Sequence, residues 1–221
     1  MRVLPPLLLA IGLIVSAVAV SVPAPVRADG EKAGVFDYYV MALSWSPNWC
    51  RLEGDSRGSP QCDEREDFGW TLHGLLPQFH RGWPAFCPTT AAQPTRRMTE
   101  EMSDIMGTSG LAWYQWKKHG VCSGLTAPAY YDTSRRAYDS IRRPQAFRKL
   151  ANTVKLPATL IEQAFLEANP GMTRDMLTVT CREGYIQEVR VCLSKELTPV
   201  PCGADTIRDC TLKDALFDPV R

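Results

Sequence analysis

Two short segments hold the side chains best suited to moving protons: Trp70-Thr-Leu-His-Gly-Leu-Leu-Pro77 and Trp116-Lys-Lys-His-Gly-Val-Cys122. The chain has only three histidines, His73, His80 and His119. Two of them are framed alike, with a Trp three residues before and a Gly directly after. Imidazole titrates near pH 6.5, so a pair of them can act as base and acid in one reaction. Lys118 beside His119 adds a cation that could steady an anionic transition state.

These groups need a scaffold. Ser109 to His119 reads as a helix stopped by Gly120. Gln115 and His119 are then i and i+4 and face the same way, with Lys118 beside them, while Trp113 and Trp116 turn inward. A bare helix end with a capping His119 and a surface Lys118 is the plainer reading of this segment alone. His73 falls near the end of a strand over Asp67–Leu75, and Phe36–Trp45 reads as an earlier strand broken by Pro47. Pro77–Pro94 is a long irregular loop, of the kind that often carries function. Thr99-Glu-Glu-Met102 resembles a capped helix start, with Gly107 closing that helix. Pro128–Ile141, Pro144–Thr153 and Pro157–Asn169 read as three more helices. Met176–Arg182 and Tyr185–Leu193 form an antiparallel pair across Glu183-Gly184. Strands at both ends with helices between predict an α+β fold: a central antiparallel sheet packed with several helices in a single disulfide-stapled domain.

The N-terminus is read apart from the fold. Arg2 precedes an apolar run to about Val22, and Val26-Arg-Ala28 fits a small-x-small cleavage pattern. Residues 1–28 are therefore expected to be a cleaved signal peptide, with the domain at 29–221. An uncleaved anchor is disfavoured by Pro5, Pro6 and the missing basic stop-transfer flank, so no membrane association is expected after cleavage. Loss of Arg2 and Arg27 turns the formal net charge of +1 into −1. A globally basic surface is thus excluded as the means of holding a polyanion. Local candidates are Arg96-Arg97, Lys117-Lys118, Arg135-Arg136 and Arg142-Arg143, which equally suit solvated helix faces.

All eight cysteines, Cys50, Cys62, Cys87, Cys122, Cys181, Cys192, Cys202 and Cys210, follow the signal segment. An even number in an exported chain predicts disulfides. Eight cysteines admit about a hundred pairings, so spacing alone does not select one. Cys50–Cys62 suits the intervening Gly- and Pro-rich loop. No Cys-x-x-Cys occurs, which argues against zinc, and no metal or other cofactor is expected.

The two histidine segments resemble the two active-site segments of the ribonuclease T2 family, and Phe36-Asp-Tyr-Tyr-Val-Met-Ala-Leu-Ser-Trp-Ser-Pro47 is similar to its first core strand. The resemblance implies an exported, metal-independent endoribonuclease. In the roles it carries over, His119 is the base, His73 the acid, and Lys118 a positive charge at the phosphate oxygens. It also implies the pairings Cys87–Cys122, Cys181–Cys210 and Cys192–Cys202. Two positions depart from the family pattern. Leu76 stands where the family usually has a base-holding Trp, and Gln115 where it usually has a catalytic Glu. Gln115 can still donate a hydrogen bond to a phosphoryl oxygen but cannot exchange a proton. Trp83 is a candidate for stacking a base. Leu76, Trp83 and Tyr114 make up the expected substrate contacts, and His80 in the same loop reads as a surface histidine.

The function expected is cleavage of single-stranded RNA by attack of its own 2′-hydroxyl, giving a 2′,3′-cyclic phosphate with low base specificity. DNA, lacking that hydroxyl, is not cleaved. The protein is expected to be monomeric, periplasmic or secreted, and of bacterial origin from its short signal and compact loops. Gln115 and Leu76 leave open a slow enzyme, or an exported RNA-binding or toxin-like protein of the same fold. A Cys/His hydrolase built on Cys122 is a third reading and requires a free thiol.

Overall fold

In the computed structural model, residues 31–221 are described; the expected signal peptide lies outside them. Six strands form one sheet: β1 Tyr38–Trp45, β2 Trp70–Gln78, β3 Val154–Leu156, β4 Leu177–Arg182, β5 Tyr185–Leu193 and β6 Ala215–Phe217. The path is β2-β1-β5-β6-β3, with β4 paired to the other side of β5. Every pairing is antiparallel except a single parallel bridge between Tyr185 and Leu216. The helices are α1 Ser46–Trp49, α2 Arg96–Glu101, α3 Ser103–Met106, α4 Ser109–Lys118, α5 Ala127–Ser140 and α6 Ala158–Ala168. The fold is α+β in one domain.

Alternation along β1 assigns its two faces. Tyr39, Met41, Leu43 and Trp45 enter the main core, while Tyr38, Val40, Ala42 and Ser44 point the other way. Helices cover the core face. Tyr130 and Tyr138 of α5 donate to the β2 carbonyls of Leu75 and Trp70, and the Trp45 ring stacks on Phe217 at 4.4 Å. Each buried aromatic of this kind stabilises the fold by roughly 1.5–3 kcal/mol.

Two irregularities shape the opposite face. Ala42 pairs with Gly74 and Leu43 with Leu72, so His73 is an extra residue in β2. That bulge lets Leu72 and Leu75 both reach the core although they are three positions apart, an odd spacing. On β5, Thr180 pairs with Glu188 and Cys181 with Ile186, which makes Gln187 extra against β4 and puts both Ile186 and Val189 inward.

Several local expectations change. Strand β2 starts and ends later than the Asp67–Leu75 reading, because Pro77 is accommodated beside β1 and pairing continues to Gln78. His73 is therefore mid-strand. The cap before α2 is Thr95, whose hydroxyl accepts from the Met98 amide. Thr99 lies inside that helix and donates to the Arg96 carbonyl instead. Pro144–Thr153 holds only a short 3-10 turn over Gln145–Lys149, after which the chain extends into β3.

Four disulfides join Cys50–Cys62, Cys87–Cys122, Cys181–Cys210 and Cys192–Cys202, and no cysteine is free. The Cys/His hydrolase reading therefore has no nucleophile. Cys87–Cys122 ties the long loop after β2 to the turn after α4. The Phe86 amide donates to the Lys118 carbonyl at the helix end, and the Cys87 amide to Cys122 Sγ. The bond closes 35 residues, worth about 4 kcal/mol in the chain-entropy account. Replacing both cysteines by Ala should lower the unfolding free energy by roughly 2–4 kcal/mol in urea titrations. Unchanged stability would mean that the backbone contacts alone hold the loop.

Candidate active site

Helix α4 delivers three of the chemical groups. Thr108 caps it by accepting from the Leu111 amide, and Gly107 before it takes a positive φ of 82° that favours glycine. Its last turn carries Gln115, Lys118 and His119, all lining one cavity of about 310 Å³. His73, Leu76, Trp83 and Tyr114 line the same cavity, so every expected catalytic and substrate-contact residue is brought together. Trp83 is exposed, presenting its ring to solvent at the cavity, and Trp116 is fully buried against Tyr130. Trp113 is exposed rather than inward, with the Lys117 ammonium above its ring. On the helix circumference it lies off the buried stripe formed by Ala112, Gln115, Trp116 and His119.

The two His-Gly pairs have separate packing reasons. A Cβ on Gly74 would overlap the Gln115 amide, and one on Gly120 would overlap the Trp116 and Tyr130 rings. Glycine at 74 lets α4 seat against β2, and glycine at 120 lets the chain turn tightly behind His119.

The two imidazoles sit in opposite settings. His119 is buried, and its Nδ1 is enclosed without a hydrogen-bond partner. Burial, with help from the charges of Lys118 and His73, depresses its pKa to about 3. It is neutral at ordinary pH and available to take a proton. His73 is about half exposed, and its Nδ1 lies 2.5 Å from Glu188 Oε1. Glu188 is almost wholly buried; Arg190 Nε donates to its Oε2 at 2.8 Å, and Nη2 of the same guanidinium is ion-paired with that oxygen, also at 2.8 Å. Burial alone would raise the Glu188 carboxyl, but hydrogen bonds and charge from His73 and Arg190 bring it down to about 2.

Glu188 and Arg190 were not among the candidates from sequence. The pair with His73 spans two strands: β1 lies between β2 and β5, and its cleft face carries only Ala42 and Ser44 there. These small side chains leave the gap in which imidazole and carboxylate meet. The available signal was the alternation Glu188-Val-Arg190-Val, which sets two charges on one face of a core strand.

Other expectations sort by position. His80 is exposed, with its ring beside Tyr38 and its backbone amide bonded to Asp37, and it does not line the cavity. Of the paired basic residues, Arg97, Arg135 and Arg136 are held by Glu101, Asp104 and Asp132, and Arg143 lies over Tyr138. Lys118 alone of those pairs lines the cavity, joined by Arg190 and Arg208. Gln115 is buried with its Oε1 enclosed and unpartnered. Among the described residues no group of three or more His, Cys, Asp or Glu could hold a metal ion.

The setting of His119 has a consequence for stability. Its native pKa lies below that of the unfolded chain, so between pH 6.5 and about 3 the unfolded state binds the extra proton. Its contribution is full above pH 6.5 and is lost as pH falls. Glu188, depressed below the usual carboxylate value, adds a loss of the same sign only below pH 4.5. Unfolding free energy should therefore fall between pH 6.5 and 4.5 by up to about 1.4 kcal/mol per unit. His119→Asn should flatten that slope in urea titrations, and an equal slope in the variant would contradict the buried neutral imidazole.

The sequence model of the Ribonuclease T2 family matches residues 36–202. A protein named Ribonuclease from Aeromonas hydrophila is 34% identical over 206 residues, covering 89% of this chain and 91% of its own. Ribonuclease I of Escherichia coli is 24% identical over 223 residues, covering 80% and 82%. Among solved structures, the RNase-related protein from Calystegia sepium aligns with a TM-score of 0.65 at 20% identity, over 86% of this chain and 98% of that one. RNase NT in complex with 5′-AMP aligns at 0.58 and 18%, over 84% and 99%. Its two histidine segments, its fold and a family match across most of its length agree: the chain belongs to the ribonuclease T2 family.

Proposed function

We propose that this ribonuclease cleaves single-stranded RNA by transphosphorylation. The observation that carries the reading is the contrast between the two imidazoles in one cavity. His119, buried and neutral, takes the proton of the 2′-hydroxyl. His73 gives a proton to the departing 5′-oxygen, and the Lys118 ammonium faces the charge that builds on phosphorus. The P–O2′ bond forms as P–O5′ breaks, leaving a 2′,3′-cyclic phosphate. Water can open that product by the reverse proton traffic.

The cavities support this order of roles. His73, Tyr114 and Glu188 also line a second cavity of about 620 Å³, which His119 does not touch. The nucleoside bearing the attacking 2′-hydroxyl then occupies the space shared by both histidines. The leaving nucleoside occupies the larger one, where His73 alone can reach its oxygen. Trp83 stacks a base without reading its edge, which favours low base specificity. Export after removal of residues 1–28 accords with the four disulfides, which need an oxidising compartment. The acting species is read as a monomer in the periplasm or outside the cell.

Incubation with RNA and with DNA in excess EDTA should give cyclic-phosphate ends from RNA alone. His73→Ala and His119→Ala should each lose about 10²–10⁴-fold in turnover with the fold retained, and His80→Ala should change little. Wild-type turnover in either of the first two would remove that histidine from its role.

Gln115 supports a second reading, an RNA-binding protein with little turnover. Its amide offers a hydrogen bond at any pH but no proton. A carboxylate at this position would favour protonated His119 and, when itself protonated, could donate to a phosphoryl oxygen. Wild type should therefore be slow, with an optimum nearer neutrality than an acid ribonuclease. Gln115→Glu should be faster, with its optimum moved to lower pH, in pH–rate profiles on one dinucleotide. A variant slower at every pH would show that the cavity has been rebuilt around the amide.

A further inference from the structure

The structure assigns a positioning role to Glu188, held by Arg190: it fixes the ring of His73 and the nitrogen that carries its proton, so that Nε2 faces the leaving oxygen. This inference rests on the acid role of His73 proposed above. It goes beyond that reading because Glu188 makes and breaks no bond itself and acts through His73.

The geometry carries it. His73 sits at a bulge, and its half-exposed imidazole is not fixed by enclosure in the core. Glu188 supplies the choice, with Oε1 2.5 Å from Nδ1. Its other oxygen accepts from Nε of Arg190 and is ion-paired with Nη2 of the same side chain, the next residue on that face of β5. Ser44 Oγ, from the intervening strand, lies 3.5 Å from Oε1. The carboxylate is almost wholly buried and lacks freedom to follow a rotating ring. A buried carboxylate with these partners is costly to install, and a strand that needed only a filled position would carry an apolar residue there.

The consequence is chemical. A carboxylate accepts from Nδ1–H, so neutral His73 holds its proton on Nδ1 and leaves Nε2 bare. When protonated, the imidazolium carries its second proton on Nε2, toward the cavity. During cleavage the Nε2 proton passes to O5′ as the P–O5′ bond breaks. The Nδ1 proton stays with the His73–Glu188 pair, and water later returns a proton to Nε2 while removing one from His119. Arg190 keeps the carboxylate ionised and in place throughout this cycle.

The test compares two leaving groups. One substrate is a dinucleoside monophosphate, whose 5′-alkoxide needs a proton. The other is a nucleoside 3′-(4-nitrophenyl phosphate), whose phenolate departs without one. Glu188→Gln should lower kcat on the dinucleotide by about tenfold or more, inside the 10²–10⁴-fold range of a whole general acid. KM and the kcat on the aryl ester should be nearly unchanged. Equal losses on both substrates, or none on either, would overturn the assignment. His73→Ala, measured alongside, separates the two levels of the argument. Selective loss in His73→Ala with none in Glu188→Gln refutes Glu188 alone, whereas equal loss on both substrates in His73→Ala refutes the acid role itself. A second readout needs no variant. In ¹⁵N-histidine-labelled wild type above its titration, the His73 resonance should show Nδ1 protonated and Nε2 bare, and the opposite tautomer would overturn the proposal even if Glu188→Gln failed to fold.

Discussion

The active cleft depends on one close approach, the seating of helix α4 against strand β2 at Gly74. The Gln115 side chain occupies the space that any Cβ at position 74 would fill. Because Gln115 and His119 lie one helical turn apart, this contact fixes His119 relative to its neighbour in β2, His73. The Cys87–Cys122 bond then holds the end of the same helix to the loop that brings Trp83 to the cavity. Loosening at Gly74 would part the two imidazoles even with each segment intact, and shifts of about 1 Å at a reacting centre can cost on the order of 10²-fold.

A flat, regular sheet could not have built this face. Strict alternation would send either Leu72 or Leu75 out of the core. The bulge satisfies both and, as its by-product, lifts His73 clear of the sheet. The β5 bulge does the same for Ile186 and Val189 and leaves Glu188 on the cleft face. Packing demands and chemical placement are thus met by the same two extra residues. The small side chains of Ala42 and Ser44 complete the arrangement, since a larger residue on β1 would stand between imidazole and carboxylate.

The sequence made the histidine segments and most long elements legible, because these rest on local signals: the Pro47 break, the Gly120 stop and the Glu183-Gly184 turn, where both residues take positive φ. The site residues expected from those segments all meet in one cavity. What escaped was non-local. Strands β3 and β6 have three residues each and exist by pairing with one another and, through β6, with β5. Glu188 matters through its register with β1 and, across it, with a residue 115 positions earlier. The face chosen by Trp113 depends on which side of α4 meets the sheet. Thr95 prevailed over Thr99 as the cap because the helix begins earlier than its acidic residues suggest.

The cleft also divides its charges unevenly, and that division explains how an amide can stand at position 115. The His73 side has its own buried carboxylate, Glu188, which bonds both His73 and Arg190 without Gln115. The His119 side has no anion in hydrogen-bond contact, and burial beside Lys118 keeps that imidazole uncharged. In the proposed mechanism the base must begin neutral, and burial favours that state for His119. In that mechanism the positive charge that appears on His119 is met by the substrate, whose phosphate becomes more anionic as the proton arrives. Gln115 leaves that compensation to the phosphate. On that proposal, binding of the anion and readiness of the base are coupled, because His119 meets its counter-charge only with the phosphate in place.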